Sequence, residues 1–151
     1  MIKETITMGE ALIAYNTLTA LSQQIKVDYL FRIQVGRNAA ALQPVVAPAL
    51  AERPILERQF AQPPKPADPK EAEGWKPWTP AEVAASEKER EKAWQAEMAL
   101  PVEIAVPGLS WAELETQDKK VGIGGDVVAY WLFLLTGVPD AVHKLLAEAS
   151  E

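Results

Sequence analysis

The chain has 151 residues, 48% of them hydrophobic and 24% charged, which suits one soluble domain with a real core. It contains one histidine, His143, and no cysteine, so thiol nucleophiles, thiolate metal sites and disulfides are excluded. Net charge is −6 and uneven: residues 1–61 are close to neutral, and residues 101–151 carry most of the excess acid.

No stretch is basic enough to attract a phosphate backbone, so nucleic-acid binding is not expected. The acidic last third reads as a solvated surface, with a basic partner as the alternative. The absence of cysteine fits a reducing cytosol, or a particle that must survive outside one. Met1–Thr5 shows no apolar signal core. The strongest apolar run, Val127 to Leu135, is far short of the roughly 20 residues that a membrane span needs, so no membrane partner is expected.

Taken in chain order, Ile2 to Ile6 alternates with β-branched residues and predicts a short strand. Thr7-Met8-Gly9-Glu10 is a capping box opening a helix over about 8–24, with Met8, Leu12, Tyr15, Leu18 and Leu21 on one face. A second helix is predicted from Lys26, with a stripe of Val27, Leu30, Phe31, Val35 and Leu42. Gly36 suggests close approach of another helix. The phase persists through Val46, Ala49, Leu56 and Phe60, but prolines at 44, 48 and 54 predict kinks or breaks before an end near Ala61.

Residues 62–79 form a proline-rich connector, expected to be extended and stiff, ending in Gly74-Trp75-Lys76-Pro77-Trp78. Thr79-Pro80-Ala81-Glu82 starts a third helix over about 80–98, mostly charged, with Val83, Trp94 and Met98 as its sizeable apolar residues. Pro101 to Val106 alternates as a strand with Val102, Ile104 and Val106 facing inward, and pairing with residues 2–6 is the simplest sheet. Ser110-Trp111-Ala112-Glu113 is a further capping box for a short helix to about Glu115. Gln117 to Gly125 reads as a surface loop. Asp126 would cap an apolar helix over 127–136, and Pro139 opens a last helix with Val142, Leu145 and Leu146 on its apolar face. The fold class is therefore α+β, mostly α: a single domain over 1–151, with a long helical hairpin, a minor two-stranded sheet and C-terminal helices.

The chemistry-bearing patterns are weak. Gly122-Ile123-Gly124-Gly125 precedes a helix, but Asp126 opposes an anion there, and a flexible loop is the simpler reading. Glu87 and Glu91 share a helical face without a further ligand in register, so no metal site is expected. His143, beside Lys144, reads as exposed. No catalytic set, metal site or cofactor site is predicted. Trp75, Lys76 and Trp78 stand out: the indoles either fold back as a lid or anchor a partner, since Trp is enriched at interface hot spots. With Trp94 of the following helix, they are the candidate partner-binding residues.

The order of pieces also resembles a group of small proteins of tailed bacteriophages. The points of likeness are Ile6-Thr7-Met8-Gly9-Glu10 followed by Leu12, Tyr15 and Leu18, then Lys26-Val27-Asp28-Tyr29, the stretch Arg37 to Pro44, Val102-Glu103-Ile104 and the apolar run Val127 to Leu135. The chain departs from that group in its 62–79 connector and its Pro139–Glu151 helix. The resemblance implies phage origin, a mixed α+β fold and residence in the host cytoplasm or the virion, and it assigns no activity. The expected function is protein–protein binding or self-association without catalysis, as a virion or assembly component. The alternative is a host-directed effector that inhibits a host enzyme or sequesters a defence signal.

Overall fold

Residues 2–7 are rich in β-branched side chains, residues 101–106 carry them at alternate positions, and the two segments pair. β1 (Ile2–Thr7) and β2 (Pro101–Val106) form an antiparallel ladder with Ile2 opposite Val106, Glu4 opposite Ile104 and Ile6 opposite Val102. Ile6, Ile104 and Val106 are buried on its inner face, and Val102 packs against the core, as the alternation predicts. The computed structural model describes residues 1–149. It is α+β and mostly helical.

α1 (Met8–Ser22) starts without a linker after β1. The Thr7 hydroxyl accepts the Glu10 backbone N–H at 3.1 Å, half of the expected capping box. Gly9 allows the start of α1 to sit against the end of a later helix: a Cβ there would lie 3.3 Å from the Met98 carbonyl oxygen. α1 doubles back on α2 (Tyr29–Gln59), and Leu12, Leu18, Phe31 and Val35 are buried where they meet. This is the predicted hairpin. β2 also packs on α2, so one long helix backs both layers.

The expected boundaries shift. α1 ends at Ser22, and α2 starts at Tyr29, not Lys26, although Val27 in the turn is still buried. Leu30 is 72% exposed. One residue turns a helix by about 100°, which carries Leu30 off the face that Phe31 and Val35 share. Nothing lies within 4 Å of a Cβ built on Gly36, so no helix approaches there.

The expected breaks at Pro44, Pro48 and Pro54 do not occur: α2 is one helix of 31 residues. All three prolines are exposed. A helical proline costs the bond to the carbonyl four residues back. Here those carbonyls belong to Ala40, Pro44 and Leu50, on residues that are themselves exposed, where water can replace the missing donor.

The 62–79 connector is not simply extended. Asp68 accepts the Lys70 N–H at 2.9 Å and caps one helical turn, α3 (Pro69–Ala72). The segment then closes on its own start, as described below. α4 (Pro80–Met98) begins as predicted, with Thr79 Oγ1 accepting the Glu82 N–H at 3.2 Å.

The C-terminal third differs most from expectation. Ser110 makes no capping bond, and α5 (Trp111–Val121) runs well past Glu115, absorbing half of the expected loop. Gln117 explains this: it is 3% exposed, and its amide oxygen accepts the Asp28 N–H at 3.0 Å while its Nε2 donates to Asp28 Oδ2 at 2.9 Å. A polar side chain that finds such partners can be buried at little cost. Gly122, left-handed at φ 64°, ends α5.

The apolar run 127–135 is not one helix. α6 (Gly125–Ala129), with Gly124 at its N-cap instead of Asp126, gives way to tight turns. β4 (Leu135–Thr136) then pairs in parallel with β3 (Leu109–Ser110). The turns place Trp131 and Leu134 in the core, both fully buried. α7 (Asp140–Ala149) follows, with Leu146 buried and Leu145 exposed. The last two residues of the expected helix, Ser150 and Glu151, lie outside the described residues.

Asp28 ties the start of α2 to α5. Its carboxylate receives Lys120 Nζ at 2.6 Å as well as the Gln117 amide. These bonds, Lys120 first, lower its pKa below the ordinary 3.8. A depressed carboxylate contributes stability above its unfolded pKa and loses it as pH falls through the folded value. Urea midpoints of the wild type and Asp28→Asn should therefore differ at pH 6 and converge in acid below pH 3.8. A gap that stays constant with pH would show that the carboxylate charge contributes nothing.

Candidate functional site

No fully buried side chain of the main core comes from between Ala49 and Ile104. The last third of α2, the connector and most of α4 therefore lie outside the main core and form an arm. Leu56 is buried within the arm, whereas α4 has no fully buried residue along its 19 positions. Trp94 and Met98, near the end of α4, pack against the main core and root the arm.

Between α2 and α4 lies a cavity of about 170 Å³ lined by Arg53, Leu56, Glu57, Arg90, Glu91 and Trp94. The Arg53 guanidinium sits over the Trp94 ring, 5.7 Å from its centroid, and its Nε lies 3.7 Å from Glu57 Oε1. This holds a delocalised cation against an aromatic face. A second cavity, about 220 Å³, shares Glu57 and Arg90 with the first and continues toward the tip past Phe60, Trp78 and Val83. The Ser86 hydroxyl donates to the Phe60 carbonyl and pins the two helices there.

The connector closes over this end. Trp75 Nε1 donates to the Pro63 carbonyl at 3.1 Å, and Gln62 Nε2 donates to the Lys76 carbonyl at 3.3 Å. Both indoles thus fold back on the chain, yet Trp75 and Trp78 stay half-buried and Lys76 is exposed. Of the four predicted residues, Trp78 and Trp94 line neighbouring parts of one groove. Trp75 and Lys76 mark the tip. The sequence reading missed Arg53, Glu57 and Arg90. The i,i+4 spacing of Arg53 and Glu57 was visible, but their pairing with α4 depends on how the connector folds.

The groove offers guanidinium, carboxylate and indole groups, and its Ser86 hydroxyl donates to the Phe60 carbonyl instead of to a base. Among the described residues, no group of three or more His, Cys, Asp or Glu side chains could hold a metal ion. No helix among the described residues is long and apolar enough to cross a membrane. His143 is exposed on α7. At the Gly122–Gly125 turn, the Asp126 carboxylate lies 2.7 Å from where a Cβ of Gly124 would be, which puts negative charge where an anion would bind. No family model matches the chain, and no curated protein or solved structure matches it.

Proposed function

We propose that this chain works by binding protein, without catalysis, as a phage virion or assembly component that acts in the host cytoplasm or the particle. The observation that carries the reading is the arm. Its groove presents two half-buried tryptophans, Trp78 and Trp94, together with Arg53 and Arg90, and α4 beside it has no fully buried residue. Trp and Arg are the residues that dominate binding energy at interfaces.

The test is mass spectrometry of purified particles of the encoding virus, with the wild type compared to a Trp78→Ala/Trp94→Ala variant. The expected result is a wild-type chain in the particles and at least a tenfold loss of the variant, a change of roughly 1.4 kcal/mol in binding. Because Trp94 also packs against the core, the variant's melting temperature falls too, so the comparison is made well below it, where circular dichroism shows the variant folded. Absence from particles, with stable capture of one host enzyme, would move the reading to a host-directed effector. Turnover in a broad substrate screen that is lost in a groove variant would end the non-catalytic reading.

A further inference from the structure

From α2's outer face, on the side away from the core, we infer that a second copy of this chain packs antiparallel against it, about a two-fold axis near Pro44 and Val45. The inference does not rest on the groove, although Ala51, Glu52 and Ile55 lie where α2 enters the arm.

A helix face turned to water ordinarily carries charge. This one does not: no charged residue occurs between Arg37 and Glu52. Arg37, Ala40, Pro44, Ala47, Pro48 and Ala51 are all exposed. Most of them recur at alternating spacings of three and four, which keeps them on one face over about four turns. Larger apolar groups extend the face at both ends, with Leu30 72% and Ile55 44% exposed. No element of the described chain covers it: α1, β2 and α4 pack on other sides of α2.

The occupant is identified by the charges that flank this face. Arg37 stands at one end and Glu52 at the other, about 22 Å apart along the axis and within about 60° around it. The ion pairs among the described residues are Arg53–Glu57 and Lys120–Asp28, so neither Arg37 nor Glu52 is satisfied within the chain. In an antiparallel pair, like flanks meet. Placing Pro44 of one copy opposite Val45 of the other brings each Arg37 opposite a Glu52, twice by symmetry. Leu30 of one copy then falls within a turn of Ile55 of the other. A parallel pair would place Arg37 against Arg37. The small side chains between the charged ends leave room in the interface for water on the Ala40 and Pro44 carbonyls, which the prolines leave without a donor.

The experiment is light scattering and sedimentation of the full chain across concentration, up to about 100 µM, which reaches weak dimers. The expected mass is twice the chain's 16.5 kDa. Ala47→Glu, exposed and helix-compatible, should give a single-chain mass with unchanged circular dichroism. Should it disturb folding, Ala40→Glu probes the same face. Arg37→Glu and Glu52→Arg should each weaken the dimer at least tenfold, and the R37E/E52R double variant should restore it. Trp78→Ala, which leaves Trp94 and the root of the arm intact, should dimerise like the wild type, so failure of the arm reading would leave this result untouched. A wild type that stays single-chain throughout would overturn the inference. So would a dimer that survives Ala47→Glu or is not restored by the charge exchange.

Discussion

Replacing Trp131 with alanine should lower the unfolding free energy by about 3–5 kcal/mol, a large part of what a domain of this size possesses. Trp131 is fully buried, and its indole N–H donates to Thr17 Oγ1 at 2.8 Å across the core to α1. Thr17 in turn donates to the Ile13 carbonyl at 2.8 Å. The substitution leaves a cavity and removes the indole hydrogen bond that joins the turns after α6 to the first helix. Urea denaturation followed by circular dichroism measures the loss. Thr17→Val, which keeps the size and removes the hydroxyl, leaves the buried indole N–H unpaired and should cost about 1–3 kcal/mol. A Trp131→Ala loss below about 1 kcal/mol would show that residues 130–134 contribute little to the core.

Asn38→Leu should cost about 2–4 kcal/mol despite its similar size, because it orphans buried backbone groups. Asn38 is fully buried on α2. Its Oδ1 accepts the Gly108 N–H at 2.9 Å, and its Nδ2 donates to the Gly108 carbonyl at 3.1 Å. Its Nδ2 also donates to the Gln34 carbonyl at 2.8 Å. Gly108 is itself a position that only glycine fits. Its φ is 95°, and a Cβ there would sit 2.9 Å from Ile2 Cδ1. The amide thus fastens the turn between β2 and β3 to the long helix. If Asn38→Leu melts within a degree or two of the wild type, solvent reaches Gly108 and the clamp carries no weight.

The parts legible in the sequence are those where one local pattern decides. Strand alternation at 2–6 and 102–106 placed the sheet, and the stripes through Leu12 and Phe31 placed the hairpin. The parts that were not legible depend on distant partners. Nothing near Gln117 announces that Asp28 will receive it, so a helix end anchored by one buried glutamine read as a loop. Residues 127–135 are apolar throughout, and apolarity alone does not separate a helix from turns that deliver Trp131 to Thr17. The prolines of α2 are forbidding in isolation and tolerable on its wet side. For the candidate site, the tryptophans were legible by type. The guanidiniums beside them became visible only once α2 and α4 lay together.

The pairing of the first strand with residues 101–106 sets a schedule for synthesis. Ile2 must meet Val106, so β1 leaves the ribosome long before its partner exists. At about 5–20 residues per second, that delay is roughly 5–20 s. The helical hairpin can form in the interval, since its contacts are local and fast. β1 meanwhile hangs from α1 as an unpaired edge, in which Lys3 and Glu4 interrupt the apolar residues and discourage pairing with a neighbouring nascent chain. The nascent chain is thus most exposed to aggregation at its first strand, and closure of the sheet is a late event in its birth.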